Sequence, residues 1–154
     1  RDEGERLVTE VGVANSMGQQ RRHPSGGTLI TDLQANAEYT FTLDRSSIYD
    51  PFLAFTAETI SVMTEPHHTT AVYIPLRPAS IIEGIVETSA PRSGVVISIT
   101  DNRGKVYTQK TFSDGSFIFN GIEPGEYIVT SPKGESVSLT VPDLPGVIPV
   151  TLRN

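Results

Sequence analysis

Apolar and polar residues alternate with period two through the second half of the chain, as they do in strands that bury one face. The alternation predicts strands at 81–88, 94–100, 105–111, 116–120, 126–130, 135–141 and 146–152. Two apolar sets are expected to share a face within their strands, Val95, Ile97 and Ile99, and Val137, Leu139 and Val141, with Ser98, Ser136, Ser138 and Thr140 pointing the other way. Short strands in this number are typical of a β-sandwich.

Turn residues mark the connections between these strands. Asp114-Gly115 provides a position that adopts positive φ easily, and Pro124-Gly125 turns the chain again. The segments 101–104 and 132–135 carry further Asp, Asn, Pro and Gly residues of the same kind. Because the composition also favours Thr, Val, Ile and Ser over the usual helix formers, we expect an all-β chain with almost no helix.

The first half of the chain parallels the second half. The run from Gly27 to Phe41 matches the run from Gly115 to Val129 at a spacing of 88 residues. A second match joins Val72-Tyr73-Ile74-Pro75-Leu76 to Val147-Ile148-Pro149-Val150, at a different spacing. These matches predict an internal duplication in which each copy ends in a similar strand.

The duplication divides the chain into two modules. We expect a diverged β-sandwich at 1–77 and a second, seven-stranded β-sandwich at 78–154, in tandem and both antiparallel. The boundary falls at Arg77-Pro78-Ala79, because proline is disfavoured inside a central strand and the apolar alternation begins again at Ile81. A single domain of 154 residues is the alternative.

Segment 44–63 interrupts the repeat with an apolar insertion, Asp50-Pro51-Phe52-Leu53-Ala54-Phe55. Either this insertion folds onto the edge of its own module, or it forms an interface between the modules or with a partner protein. The first interpretation is favoured, because surface loops usually bury a few anchoring side chains. Under the second interpretation, the residues that would contact a partner are Tyr49, Phe52, Leu53 and Phe55.

Charge and composition narrow the classes of function. A net charge of −6 without blocks provides no basic surface for nucleic acid, and it opposes adhesion to an anionic membrane. The absence of cysteine excludes disulfides, thiolate metal sites and cysteine nucleophiles. No apolar run approaches the ~20 residues of a spanning helix, so we expect no insertion of this chain into a membrane. Because the chain starts with Arg1, we expect a longer parent protein.

The residues that could bind a metal or act in catalysis do not form a known sequence motif. His67-His68 is the one adjacent pair of histidines, but neighbours on an extended segment point to opposite faces. Asp101, Asp114 and Glu123 suggest calcium, yet their turn positions explain them without an ion. Nucleophile-elbow and phosphate-loop motifs are missing from the sequence. We therefore predict no catalytic residues, no metal, no cofactor and no enzymatic activity.

The run Thr111 to Val129 resembles the signature of carboxypeptidase regulatory-like domains, which has a Thr, a turn Asp-Gly, alternating Phe and then Pro-Gly-x-Tyr. The resemblance covers residues ~80–154 and, through the repeat, the first half more weakly. It implies a transthyretin-like, seven-stranded, Ig-like sandwich that accompanies an enzyme without performing catalysis. In related surface stalks, a Lys in the first strand forms an isopeptide bond, and strand 81–88 has no Lys.

The junction from Tyr73-Ile74-Pro75-Leu76 to Ile82-Glu83-Gly84-Ile85-Val86 also resembles the C-terminal modules of bacterial outer-membrane ushers. This resemblance implies a structural, protein-interaction module of the bacterial cell envelope, in the periplasm or at the surface, that acts in pilus assembly. Its partners would be pilus chaperones, pilin subunits or other domains of the parent chain. The alternative is an accessory domain of a secreted hydrolase that binds carbohydrate or peptide, or stabilises the enzyme.

Overall fold

A computed structural model describes residues 11–14, 17–24, 27–88 and 92–153. The predicted all-β class is confirmed, since the described residues form strands and a single three-residue 3-10 turn, Arg45–Ser47. The strands are β1 (Gly12–Val13), β2 (Gln19–Arg22), β3 (Thr28–Thr31), β4 (Glu38–Asp44), β5 (Leu53–Phe55), β6 (Thr59–Met63), β7 (Leu76–Pro78), β8 (Ser80–Glu87), β9 (Val96–Asp101), β10 (Val106–Lys110), β11 (Ser116–Ile122), β12 (Gly125–Thr130), β13 (Ser136–Val141) and β14 (Val147–Arg153).

The chain divides into two compact units. The first unit comprises the described residues up to Tyr49 together with Phe55–Leu76, and the second comprises Asp50–Ala54 together with the chain from Arg77 onward. Asp50–Ala54 thus belongs to the second unit, although the sequence places it inside the first module. The tandem arrangement of two sandwiches stays a prediction.

The second unit contains the strands predicted from alternation. All seven are present as β8–β14, and no end differs from the predicted end by more than two residues. They form a four-stranded sheet in the order β10-β9-β12-β13 and a three-stranded sheet in the order β11-β8-β14. Neighbouring strands are antiparallel, except that β14 lies parallel to β8 with Val147 opposite Ile81. The last strand therefore lies beside the first.

A single core joins the two sheets of this unit. Its buried members come from both sheets and are Ile82, Val86, Ile97, Ile99, Phe117, Phe119, Ile122, Tyr127, Val129, Val141, Val150 and Leu152. The predicted faces are confirmed: Ile97, Ile99 and Val141 are buried with Val95, Val137 and Leu139 packed against them, while Ser136, Ser138 and Thr140 are exposed. Two sheets that bury one set of alternating side chains make a β-sandwich.

The first unit is smaller in its described part. β1, β4 and β6 form an antiparallel three-stranded sheet, and β2 pairs with β3 in a hairpin. Its buried apolar side chains among the described residues are Phe41, Leu43 and Phe55. The rings of Tyr39 and Phe41 stack with centroids 6.1 Å apart. A remaining pair, β5 with β7, forms a two-stranded sheet.

Candidate protein-interaction site

The apolar insertion begins with a turn that its own sequence encodes. The Asp50 carboxylate Oδ1 accepts the Phe52 backbone N–H at 2.9 Å, and the Leu53 N–H donates to the Asp50 carbonyl at 3.2 Å. Asp at the first position and Pro at the second favour such a turn, because the carboxylate mimics a backbone acceptor and the ring presets φ. The turn directs the next carbonyls towards the rest of the second unit.

The carbonyls of this turn complete hydrogen bonding in the second unit. The Pro51 carbonyl accepts the Gly121 N–H at 3.0 Å, and the Phe52 carbonyl accepts the Ala79 N–H at 2.8 Å. Gly121 lies where the register of β11 against β8 shifts, and it has a φ of +63°. A bulge leaves a backbone group without its ladder partner, and Pro51 supplies that partner. Residues Asp50–Ala54 of the insertion are therefore a structural part of the second unit.

The predicted contact residues differ widely in exposure. Tyr49 keeps 85% of its surface exposed, Phe52 and Leu53 are half-buried, and Phe55 is buried at 9%. The burial of Phe55 leaves little of its side chain at the surface. Tyr49 and Phe55 belong to the first unit, whereas Phe52 and Leu53 belong to the second. A contact role for Tyr49, Phe52, Leu53 and Phe55 stays a prediction.

An ion pair lies close to the same bulge in the second unit. The Arg77 guanidinium bonds to the Glu123 carboxylate, and this hydrogen bond raises the pKa of Arg77 above its ordinary value. The Tyr127 hydroxyl donates to the Glu123 carbonyl at 2.9 Å. Glu123 is therefore held from both its side chain and its main chain. The sequence could not reveal this pair, because Arg77 stands at the module boundary and Glu123 in a distant turn.

The residues of the Thr111 to Val129 run have structural roles. The Thr111 side chain is buried; its hydroxyl donates to the Arg92 carbonyl and accepts the Val95 N–H at 2.9 Å. Gly115 has a φ of +87°, as its turn position predicts. Phe117 and Phe119 are buried with their rings edge to face at 6.0 Å. The run thus encodes a turn and a core.

The acidic residues considered for calcium are bonded within the protein. Asp101 Oδ1 accepts the backbone N–H groups of Arg103 at 2.9 Å and Lys105 at 2.8 Å. Asp114 Oδ1 accepts the Ser116 hydroxyl at 2.7 Å and the Ser116 N–H at 2.9 Å. These two bonds hold the pKa of Asp114 below its ordinary value. Such bonds are the ordinary roles of Asp in turns.

Neither histidines nor carboxylates assemble into a metal site in the part of the chain that the structure describes, where no three His, Cys, Asp or Glu side chains come together. His67 and His68 lie on an exposed segment of the first unit, and His67 has a φ of +55°. A search of the described residues for a helix long and apolar enough to cross a membrane finds none.

Comparison with known proteins gives weak similarities. No protein-family model and no curated protein matches the chain. Among solved structures, the Bacillus anthracis TIE protein is 13% identical over 94% of this chain and 30% of its own, with a TM-score of 0.45. The minor pilin of Streptococcus agalactiae is 12% identical over 84% of this chain and 64% of its own, with a TM-score of 0.41. A streptococcal ancillary pilin is 17% identical over 99% of this chain and 60% of its own, with a TM-score of 0.38.

The chain thus spans less than two thirds of each of these three structures. TM-scores below 0.5 do not establish a common fold, so the architecture rests on strand order, register and the core of the second unit. On that basis the chain is an all-β protein with a β-sandwich as its second unit.

Proposed function

We propose that this chain is a structural, protein-interaction module of the bacterial cell envelope that acts in pilus assembly and performs no catalysis. The observation that supports this proposal most is that several polar side chains are engaged in hydrogen bonds within the protein. Asp50, Asp101, Asp114 and Thr111 each bond to a turn or loop, which is a structural role. A rigid sandwich with its polar groups used in this way is suited to holding and presenting surfaces.

The finer form of the proposal places the chain in the C-terminal periplasmic part of an outer-membrane usher. Its support is the resemblance of the module junction to the C-terminal modules of ushers, together with the resemblance of the Thr111 to Val129 run to carboxypeptidase regulatory-like sandwiches. A surface available for partners includes Tyr49, which is 85% exposed, and Tyr73, which is 76% exposed. Large aromatic side chains at the surface are favourable contact residues, because they bury much area with few rotatable bonds.

Binding to pilus-assembly proteins tests this proposal. The full chain is immobilised, and a purified pilus chaperone, a pilin subunit and their complex are passed over it in turn, with the chaperone of an unrelated pathway as the control. We expect saturable binding of the complex. Failure of all three to bind, together with retention on a polysaccharide or peptide column, would instead support an accessory domain of a secreted hydrolase.

Two matched variants locate the binding surface. Tyr49→Ser should leave the thermal melt unchanged and weaken binding, because the side chain is exposed. Phe52→Ser should lower the stability of the second unit, because the Phe52 side chain is half-buried and its own carbonyl accepts the Ala79 N–H. If Tyr49→Ser binds as well as the original chain, Tyr49 is not part of the interface.

A further inference from the structure

The edge strands of the second unit differ in how they are protected against pairing with another chain. Its two sheets end in β10 and β13, and in β11 and β14. β10 carries Lys110, β14 contains Pro149, and the Gly121 N–H of β11 is bonded to Pro51. Such charges, prolines and covering segments are the usual protection of an edge. Of these four described strands, β13, Ser-Val-Ser-Leu-Thr-Val, alone has no charge, no proline and no covering segment.

The free side of β13 presents main-chain groups at alternate residues. At the turn of the β12–β13 hairpin, the Ser131 N–H donates to the Glu135 carbonyl at 2.9 Å. Hydrogen-bonded and non-hydrogen-bonded pairs alternate along an antiparallel ladder, so the odd-numbered residues of β13 bond to β12. The N–H and C=O groups of Ser136, Ser138 and Thr140 therefore point away from β12. These three residues are exposed, and no backbone hydrogen bond within the described residues occupies their outward groups.

The sequence of β13 is complementary to a second copy of itself. If two copies lie antiparallel with Ser138 opposite Ser138, then Ser136 lies opposite Thr140 and Val137 opposite Leu139. Ser and Thr hydroxyls already meet across strands in this protein, at 3.1 Å both between β4 and β6 and between β12 and β13. Val137 and Leu139 are half-buried at the margin of the core, so pairing would cover them further. Similar side chains thus meet at every position.

The segments that flank β13 carry opposite charges. In the same register, the turn before β13 of one copy comes to the segment after β13 of the other. That turn carries the exposed Lys133, and that segment carries the exposed Asp143. Leu144, which is 80% exposed, follows Asp143 and would come to the exposed Pro132. Two-fold symmetry repeats these contacts, so both ends of the paired strands are complementary in charge.

The edge strand β6 of the first unit provides a contrast. Its sequence, Thr-Ile-Ser-Val-Met, is also uncharged. However, Glu58 precedes it and Glu65 follows it closely, with no basic residue between them. Antiparallel pairing of β6 with its own copy would bring acidic residues together at both ends. Complementarity to a second copy is therefore a property of β13 and not of every uncharged edge in this protein.

We propose that the free edge of β13 is a self-association surface, which binds β13 of a second copy of this chain antiparallel about a two-fold axis at Ser138. Facing outward residues would exchange both of their main-chain hydrogen bonds. The two four-stranded sheets would become continuous, with β10 and its Lys110 at each outer end, so the assembly closes at two copies. The inference does not depend on the proposed function, because the partner is the chain itself.

Sedimentation velocity of the full chain over a range of protein concentrations tests the proposal. We expect monomer at low concentration, dimer at high concentration and nothing larger. Ser138→Pro should weaken dimerisation at least about tenfold, because it removes an N–H that is bonded only in the dimer. Ser138→Ala is the matched control; it keeps this N–H and should dimerise within about twofold of the original chain. A chain that stays monomeric throughout overturns the proposal, as does a folded Ser138→Pro variant that dimerises normally.

Exchange of the flanking charges tests the interface without touching β13. Lys133→Glu and Asp143→Lys should each weaken dimerisation about threefold, because each brings like charges together at both ends. Both positions are exposed, so folding should be unaffected. The double variant restores opposite charges and should dimerise within about twofold of the original chain. If the double variant loses as much as the two single variants together, the proposed contact is absent.

Cysteine cross-linking tests the register, since the chain has no cysteine of its own. Facing residues of a hydrogen-bonded antiparallel pair have Cα atoms ~5.5 Å apart, within reach of a disulfide. Ser138→Cys should therefore form a covalent dimer under mild oxidation. Thr140→Cys, the matched control, lies away from the axis; it should not cross-link to its own copy but should cross-link to Ser136→Cys. Equal cross-linking of Ser138→Cys and Thr140→Cys alone would overturn the register.

Discussion

The run from Gly27 to Phe41 and its counterpart from Gly115 to Val129 begin with glycines of the same conformation but differ in what their side chains bury. The two glycines have nearly the same φ, +85° and +87°. Their second strands, β4 and β12, each lie between two neighbours. Yet Phe117 is fully buried, whereas Leu29, 88 residues earlier, is half-exposed. Similar local sequence thus specifies the same conformation at the first glycine without specifying the same core.

The difference comes from the strand beside each run. In the second unit, β11 pairs with β8, which contributes Ile82 and Val86 to the core and places Gly84 opposite Phe117. In the first unit, β3 pairs with β2, whose four residues, Gln19–Arg22, are all exposed. Cores depend on residues distant in sequence, so a repeat visible in turns can diverge in packing.

Truncating the two corresponding side chains gives the largest expected contrast. Phe117→Ala should lower the free energy of unfolding of the second unit by about 4 kcal/mol, because a fully buried ring leaves a cavity. Leu29→Ala should cost the first unit about 1 kcal/mol, since its side chain is already half in water. Urea denaturation followed by amide resonances of each unit measures both. Equal losses would mean that the two runs are packed alike.

Glycine substitutions test the neighbouring strand itself. A Cβ on Gly84 would lie 2.2 Å from Phe117 Cζ and 2.7 Å from the Val150 carbonyl oxygen. Gly84→Ala should therefore destabilise the second unit by about 2.5 kcal/mol through overpacking. Gly12→Ala is the matched control in the first unit, where the nearest atom is Ser47 Cβ at 3.2 Å, and its effect should be within about 0.5 kcal/mol.

A double substitution identifies the clash. Combining Gly84→Ala with Phe117→Leu should cost less than the sum of the two single changes, because the smaller side chain makes room for the new methyl group. The same urea titration measures this coupling. Additive losses would place the strain of Gly84→Ala elsewhere, against the Val150 carbonyl.

The sequence predicts features that depend on neighbouring residues and fails for those that depend on distant ones. Alternation located β8–β14, and Asp114-Gly115 predicted a positive φ. Parallel pairing of β14 with β8 and the bond from Gly121 to Pro51 were not predicted, because each joins segments more than 60 residues apart. Gly84 carried an unused signal, since a glycine inside an apolar strand often marks a close approach.

The candidate site shows the same limit. The apolar residues of segment 50–55 identified it as an insertion. The composition of a loop, however, does not predict which unit the loop packs against. The structure assigns Asp50–Ala54 to the second unit through hydrogen bonds to Ala79 and Gly121. Exposure separates Tyr49 from Phe55, although both are aromatic residues of the same stretch. Alternation could not distinguish them, because burial of a loop residue depends on the surface it meets.

The smallest expected effect compares the tyrosines at corresponding positions of the two runs. The Tyr127 hydroxyl donates to the Glu123 carbonyl, whereas the Tyr39 hydroxyl accepts the Gln34 N–H, each at 2.9 Å. Both bonds hold the turn that precedes the tyrosine, but Tyr127 is 6% exposed and the bond of Tyr39 is open to water. Tyr127→Phe should cost about 1 kcal/mol, because its carbonyl partner loses a donor away from solvent.

Tyr39→Phe should lower the free energy of unfolding by only a few tenths of a kcal/mol, because water can replace the lost hydroxyl as the acceptor of the Gln34 N–H. Thermal melts of the two variants and of the original chain provide the comparison. A larger loss for Tyr39→Phe would mean that the first unit depends on its turn more than on its core. In that case the tethered turn is the element that the two runs share, because the described residues of the first unit include few buried side chains that could fix β4 in place.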